Sequence, residues 1–185
     1  MAEEFRFELS QEEKDYLREL VRLAILKRLN NKDADDLPDP PTDKLKEPLG
    51  AFVTLKIAGN LRGCIGNVYG DKPLHLTVAR MAQAAAFEDP RFPPLTAKEF
   101  DQTSIDISIL SPVTECPDPL KVEIGRHGLI IRKGGRSGLL LPQVPVEWGW
   151  DLTTFLEHTC AKAGLPKNSW KDPSAQLYWF EAEVF

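Results

Sequence analysis

The chain has 185 residues, of which 42% are apolar and 28% charged, and its formal net charge is -5. This composition is ordinary for a globular protein and argues against wholesale disorder. The negative charge argues against a general nucleic-acid or anionic-membrane binder, because phosphate contacts need a basic surface. No apolar run reaches the roughly 18 residues of a membrane-spanning helix.

The N-terminal segment and the cysteines predict a cytoplasmic protein. The first ten residues, MAEEFRFELS, are acidic and lack the basic and apolar regions of a signal peptide. Cys64, Cys116 and Cys160 lie far apart and form no C-x-x-C pair, which argues against a disulfide framework. The three scattered histidines have no zinc-ligand spacing either. We therefore expect reduced thiols, no bound metal and no cofactor.

The first part of the chain predicts a helix followed by a β-hairpin. Ser10 and Glu13 form a capping-box pattern that opens a long helix. The polar, proline-rich stretch 30–49 is typical of a surface connection. Residues 51–57 and 61–65 predict two strands joined by a tight turn. In the second strand, period-2 alternation places Arg62 and Cys64 on one face. It places Leu61, Gly63 and Ile65 on the opposite face.

The rest of the chain predicts further helices and strands in no strict order. A helix over 73–87 ends before Pro90, and Thr96 with Glu99 gives a second capping box. Asp151 caps a last helix. Strands are predicted over 103–110, 122–124, 129–133, 138–141 and 176–185. Without strict βαβ alternation, these elements favour an α+β fold with mainly antiparallel sheet and packed helices.

The hexapeptide Leu61-Arg62-Gly63-Cys64-Ile65-Gly66 is similar to the hallmark motif of the AMMECR domain family. Prokaryotic members of that family are called AmmeMemoRadiSam system protein A. The resemblance runs in family order over roughly residues 10–180, and Pro145 departs from it where the family usually has alanine. Further matching segments are 89–95, 107–112, 123–128, 141–144 and 147–151.

The resemblance implies a single AMMECR-type domain over 1–185, with a larger and a smaller lobe around a groove. It also implies a functional link to Memo-like and radical-SAM proteins, and it implies no particular reaction. The function expected from it is therefore that of a cytosolic accessory domain that binds a ligand or a partner.

The residues around the hexapeptide are candidates for binding a small anionic ligand. The glycines would expose backbone N–H groups, and Arg62 offers a bidentate fork to a carboxylate or phosphate. Arg91 would be the second anion-binding residue, next to Asp89. The full candidate set is Arg62, Gly63, Cys64, Gly66, Asp89 and Arg91.

Structural interpretations of the same residues stand beside the binding hypothesis. Cys64 as a small buried hydrophobe would need no chemistry, and the glycines would then mark close backbone approach. Asp89 and Arg91 would form a local turn lock, which is the favoured reading of that pair. The enzymatic alternative makes Cys64 a nucleophile or thiolate ligand, activated by the neighbouring guanidinium of Arg62.

Two features of the region 121–138 add weaker hypotheses. His127 is a candidate general base, although a histidine in such a loop more often hydrogen-bonds its own backbone. The region holds five basic residues and one acidic residue, which would suit a nucleic-acid-associated factor. Solvated strand charges are the simpler explanation, and we do not expect nucleic acid to be the partner.

Overall fold

The computed structural model describes residues 8–32 and 37–185, which form two compact units. The first and larger unit contains Glu8–Leu110 together with Glu183–Phe185. The second unit contains Ser111–Ala182. Each unit combines helices with antiparallel strands, so the expected α+β class is confirmed. Within the described residues, no helix is both long and apolar enough to cross a membrane.

The first unit is a three-stranded antiparallel sheet with helices. The elements of this unit are α1 (Gln11–Leu29), β1 (Gly50–Ile57), β2 (Asn60–Asn67), α2 (Leu74–Phe87), α3 (Ala97–Phe100) and β3 (Thr103–Leu110). The central strand β1 pairs with β2 on one side and with β3 on the other, so β2 is an edge strand.

Both predicted capping boxes are confirmed. The Ser10 hydroxyl accepts from the Glu13 N–H at the start of α1, and the Glu13 carboxylate accepts from the Ser10 N–H. Thr96 and Glu99 make the same reciprocal pair at the start of α3. These bonds satisfy backbone donors that have no partner inside a helix.

Small residues bring α2 close to the sheet. The alanines of α2 that are nearly inaccessible to solvent are Ala79, Ala82, Ala84, Ala85 and Ala86. A Cβ added at Gly63 would lie 2.1 Å from the Ala85 carbonyl oxygen, so β2 lies directly against the helix backbone. Gly63 is therefore required by close packing.

The strand β2 contains a β-bulge that the alternation pattern missed. Leu55 pairs with Gly63 and Lys56 pairs with Leu61, which leaves Arg62 without a residue opposite it on β1. Adjacent residues of β1 face opposite sides of the sheet. Leu61 and Gly63 therefore lie on opposite faces, and the prediction that they share one face is wrong. The extra residue of a bulge shifts the alternation by one position.

The stretch 30–49 has little regular structure where it is described. Residues Asp43–Lys46 form a short 3-10 turn, in which Leu45 is fully buried, and Pro48 makes an isolated bridge to Pro73. Residues 33–36 of the predicted connection lie outside the described residues.

The second unit is built on antiparallel strands and helices. Its elements are β4 (Thr114–Glu115), β5 (His127–Lys133), β6 (Arg136–Leu140), α4 (Gln143–Glu147), α5 (Leu152–Lys162) and β7 (Gln176–Val184), of which β7 lies in this unit as far as Ala182. The strand order is β6-β5-β7-β4. Helix α5 packs against β5 and β6, and the core beneath it includes Leu129, Ile131, Phe155 and Leu156.

One predicted strand of the second unit is wrong, and two short elements were not predicted. Residues 122–124 form no strand: Val122 is buried after a 3-10 turn, whereas Ile124 is exposed. The Glu123 carbonyl accepts from the Arg126 and His127 N–H groups, so this backbone closes a turn and is not available to a strand ladder. The unpredicted elements are β4 and α4.

Candidate functional site

Asp89 ties the end of α2 to the middle of β2. Helix α2 ends at Phe87, before the Asp89-Pro90 bond that disfavours helical backbone. The Asp89 side chain is only 2% exposed, and its Oδ2 accepts from the Cys64 N–H at 2.9 Å. Two regions separated by 25 positions in the chain thereby meet at one carboxylate.

Arg91 completes a clamp on Cys64. Its Nε donates to Asp89 Oδ1 at 2.9 Å, and its Nη2 donates to Oδ2 at 2.7 Å. The same Nη2 lies 3.2 Å from the Cys64 carbonyl oxygen. The hydrogen bond from Arg91, helped by the Cys64 N–H, holds the pKa of Asp89 well below its usual range. Asp89 is therefore a charged carboxylate at any physiological pH.

The clamp occupies the backbone of an edge strand. A neighbouring strand would normally receive the outward N–H and C=O groups of such a strand, and exposed edges promote unwanted pairing. At Cys64 both groups are instead engaged by Asp89 and Arg91. Asp89 and Arg91 therefore make the local ion pair that the favoured interpretation predicted. Both residues of the pair also contact the Cys64 backbone.

Arg62 belongs to a second ion pair. Its Nε and Nη2 donate to the two Glu99 carboxylate oxygens at 2.9 and 3.2 Å, and Nη2 also donates to the Pro93 carbonyl at 2.9 Å. The hydrogen bond from Arg62 lowers the pKa of Glu99 to about 2. The remaining nitrogen, Arg62 Nη1, is buried and has no hydrogen-bond partner in the part of the chain that the structure describes. The fork predicted to hold an anion is therefore occupied by Glu99.

An aromatic ring lies beside both guanidinium groups. The Cζ atoms of Arg62 and Arg91 are 5.7 and 5.6 Å from the centre of the Phe92 ring. Such distances allow a cation–π attraction. Phe92 is half-buried and follows Arg91 directly, so it joins the two ion pairs into one cluster. We call Arg62, Asp89, Arg91, Phe92 and Glu99, together with Cys64, the β2 cluster.

The two glycines of the candidate set have packing roles. Gly63 lies against the α2 backbone, and a Cβ added at Gly66 would lie 2.2 Å from atoms of the Phe52 ring. Any larger residue would displace the ring or the helix. These contacts account for both glycines without a ligand, so backbone N–H binding at Gly63 and Gly66 stays a prediction.

Cys64 differs from the other two cysteines. Its side chain is partly exposed, and the Thr54 hydroxyl donates to its Sγ at 3.1 Å. Cys116 and Cys160 are buried, and burial raises the pKa of both thiols. Within residues 8–32 and 37–185, no group of three His, Cys, Asp or Glu side chains is placed to hold a metal ion.

His127 lies in the second unit, where it closes its own loop. Its Nδ1 accepts from the Glu123 N–H at 3.0 Å, and its ring centre lies 4.5 Å from that of Trp179. Burial, helped by the positive charge of Arg126, lowers the pKa of His127. The neutral ring with a proton on Nε2 fits these contacts. The predicted hydrogen bond to its own loop is present, and a catalytic role for His127 stays a prediction.

Three basic residues of the region 121–138 are engaged by partners within the second unit. Arg126 pairs with Glu123 and Glu181, and Lys133 pairs with Asp172 at 2.5 Å. Arg136 donates to the Gly164 carbonyl at 2.6 Å. Because these charges already have acceptors, they fit the simpler explanation of a solvated, ion-paired face.

The sequence predicted no role here for two members of the β2 cluster, Glu99 and Phe92, or for Thr54, which contacts Cys64. Glu99 was assigned only to the capping box, although the same carboxylate also holds Arg62. Phe92 and Thr54 carried no signal of their own, because their contacts depend on how distant segments meet. The only indication in the sequence was for Phe92, which directly follows the Asp89–Arg91 turn.

Comparisons with known proteins give one consistent result. The AMMECR1 family model matches residues 18–185. Protein MK0488 of Methanopyrus kandleri is 47% identical, with 96% of this chain and 89% of the relative covered. A protein of Aquifex aeolicus is 45% identical, with 91% of each chain covered. The crystal structure of the uncharacterized protein PH0010 from Pyrococcus horikoshii has a TM-score of 0.89 at 40% identity and covers 96% of this chain and 93% of that one.

Proposed function

Because the chain belongs to the AMMECR1 family, we propose that it is a cytosolic accessory domain that binds a partner or ligand through its β2 cluster. The proposed partners are the Memo-like and radical-SAM proteins that the resemblance implies. The proposed contact is an acidic group, which Arg91 would bind.

The observation that carries the proposal is the fixed position of an exposed arginine. The Arg91 side chain is 54% exposed, yet it is held by an Asp89 side chain that is 2% exposed. Arginine side chains usually lose considerable conformational freedom on binding. A guanidinium that is already immobilised avoids part of that cost, and its planar fork suits carboxylates and phosphates.

A second observation concerns the unpaired nitrogen of Arg62. A buried N–H without a partner costs free energy and calls for an explanation in each protein that has one. Arg62 Nη1 is such a group among the described residues, and it belongs to the same cluster as Arg91 through Phe92. A ligand oxygen would supply the missing acceptor only after the Arg62 side chain moves, because Nη1 is buried.

The experiment is a titration of the purified chain with purified Memo-like and radical-SAM proteins from the same organism. Isothermal titration calorimetry would measure the dissociation constants of the wild type and of Arg91→Lys. Lysine keeps the positive charge near Asp89 but loses the bidentate fork, so we expect binding to weaken about tenfold.

Arg28→Lys is the matched control, because Arg28 is also a half-exposed arginine in an ion pair, with Glu88. We expect its dissociation constant to equal that of the wild type. The absence of a complex with either partner would contradict the proposed partners. Equal affinities of the wild type and Arg91→Lys would contradict the role of Arg91.

A second candidate function is an enzyme that uses Cys64. The contact that favours it is the hydrogen bond from the Thr54 hydroxyl to Sγ, because a donor near sulfur stabilises the thiolate. This alternative requires rapid alkylation of Cys64 near neutral pH and slower alkylation in Thr54→Val. The two buried cysteines serve as internal controls in mass spectrometry. Equal rates in the wild type and in Thr54→Val would reject it.

A further inference from the structure

A cavity of about 430 Å³ lies along one side of α2, away from the residues of the β2 cluster. Its volume is within the range of small-molecule sites. One wall comes from α2 and from Lys72 just before it, and the other comes from residues 37–39. The lining residues are Leu37, Pro38, Asp39, Lys72, His75, Leu76, Ala79, Arg80 and Gln83.

Hydrogen bonds hold the walls of this cavity in place. The Tyr16 hydroxyl of α1 donates to the Pro38 carbonyl at 2.7 Å. The His75 Nδ1 lies 3.0 Å from the carbonyl oxygen of the fully buried Leu45, and Gln83 donates to the Ala24 carbonyl at 3.2 Å. The walls are therefore tied to α1 and to the 3-10 turn, and the cavity is largely pre-formed.

The chemistry of the lining favours an apolar body with a negative group. Leu37, Pro38, Leu76 and Ala79 supply the apolar surface. Lys72, which lies two residues before the start of α2, and Arg80 on the helix supply cations. One Arg80 nitrogen binds Glu88. Among the described residues, the wall opposite α2 contains one carboxylate, that of Asp39. Lys72 is exposed and lies just before the N-terminus of α2, where a negative group is also favoured by the helix dipole.

The tautomer of His75 indicates which hydrogen-bonding group of a ligand it could bind. A carbonyl oxygen can only accept, so the contact with Leu45 places a proton on Nδ1. In the neutral ring Nε2 is then an acceptor, which would receive a hydroxyl or N–H donor of the ligand.

We propose that this cavity binds a small amphipathic anion, namely an apolar body that carries a carboxylate, sulfonate or phosphate. The site is separate from the proposed partner surface, since it contains neither Arg91 nor Cys64. Lys72 is the residue that contacts the anionic group, and the wall formed by Leu76, Ala79 and Pro38 contacts the apolar body.

Two probes with the same rings test the proposal. The first is 8-anilinonaphthalene-1-sulfonate, and the second is N-phenyl-1-naphthylamine, which lacks the sulfonate. Fluorescence titrations give the dissociation constants for the wild type, Lys72→Glu and Leu76→Asn, with Lys121→Glu of the second unit as the control. Amide chemical shifts of the ¹⁵N-labelled protein locate the bound probe. Both tested side chains are exposed, so folding is retained.

We expect saturable one-to-one binding of the sulfonate with shift changes confined to residues 37–39 and 72–83. Lys72→Glu should weaken binding of the sulfonate about fivefold or more and leave the neutral probe unchanged, whereas Leu76→Asn should weaken both. Shift changes elsewhere would overturn the site. Equal binding of the two probes, or an equal effect of Lys72→Glu and Lys121→Glu, would overturn the anion preference.

Discussion

Arg62 and Arg91 each bind a carboxylate, but the arginine is the buried partner in the first pair and the exposed partner in the second. The Arg62 side chain is 10% exposed and its partner Glu99 is 35% exposed. Arg91 is 54% exposed and its partner Asp89 is 2% exposed. A buried arginine with a more exposed carboxylate anchors α3 to β2, whereas a buried carboxylate holds an arginine that is exposed to solvent. Two similar ion pairs in one cluster thus suit different roles.

The largest effect on stability is expected for Arg91→Ala. This change leaves the Asp89 charge buried with only the N–H bonds from Cys64 and Arg91. Breaking a buried ion pair typically costs 3–5 kcal/mol, and we expect about 3 kcal/mol because those two bonds remain. Urea unfolding measures the loss. Adding Asp89→Asn to Arg91→Ala should recover part of the lost free energy of unfolding. A loss below about 1 kcal/mol for Arg91→Ala would show that the buried Asp89 carboxylate does not depend on its arginine partner.

Arg62→Ala is expected to have a smaller effect, about 1–3 kcal/mol. The change removes the bonds to Glu99 and Pro93, but Glu99 is accessible to water and retains its bonds to Thr96. Urea unfolding under the same conditions gives a direct comparison with Arg91→Ala. A greater loss for Arg62→Ala than for Arg91→Ala would reverse the assignment of roles.

The local patterns in the sequence were sufficient for most elements. The capping boxes at Ser10 and Thr96 and the stop of α2 before Pro90 each depend on residues that are near in the chain. The strand predicted over Val122 and Ile124 was wrong because apolar residues at alternate positions also occur in a turn that buries one of them and exposes the other.

Four residues of the β2 cluster were predicted from the sequence as site candidates, whereas Phe92, Glu99 and the geometry of the cluster were not. The hexapeptide and the Asp89–Arg91 turn were identified as candidates, and they do meet at the Cys64 backbone. The bulge at Arg62 depends on the register with β1, and its pairing with Glu99 joins residues 37 positions apart. Such contacts are set by packing over long distances in the chain, so single-sequence patterns do not contain them.

The smallest effect concerns pH. Arg62 lowers the pKa of Glu99 from 4.5 in the unfolded chain to about 2 in the folded protein. The folded state therefore binds fewer protons, and the stability from this pair is present above about pH 4.5 and is lost as pH falls toward 2. Urea unfolding at several pH values should show that acidification lowers the free energy of unfolding less in Glu99→Gln than in the wild type. The difference should be less than about 1 kcal/mol because Glu99 is partly exposed. Identical pH profiles of the two proteins would contradict it.

The clamp on β2 is tested most directly by hydrogen exchange at the Cys64 amide. Asp89 is its acceptor, so Asp89→Ala should accelerate exchange of that amide by at least about tenfold more than it accelerates the Leu55 amide of the central strand. The Leu55 amide corrects for any global loss of stability. Equal acceleration of the two amides, or an unchanged rate at Cys64, would show that Asp89 does not hold the edge of the sheet.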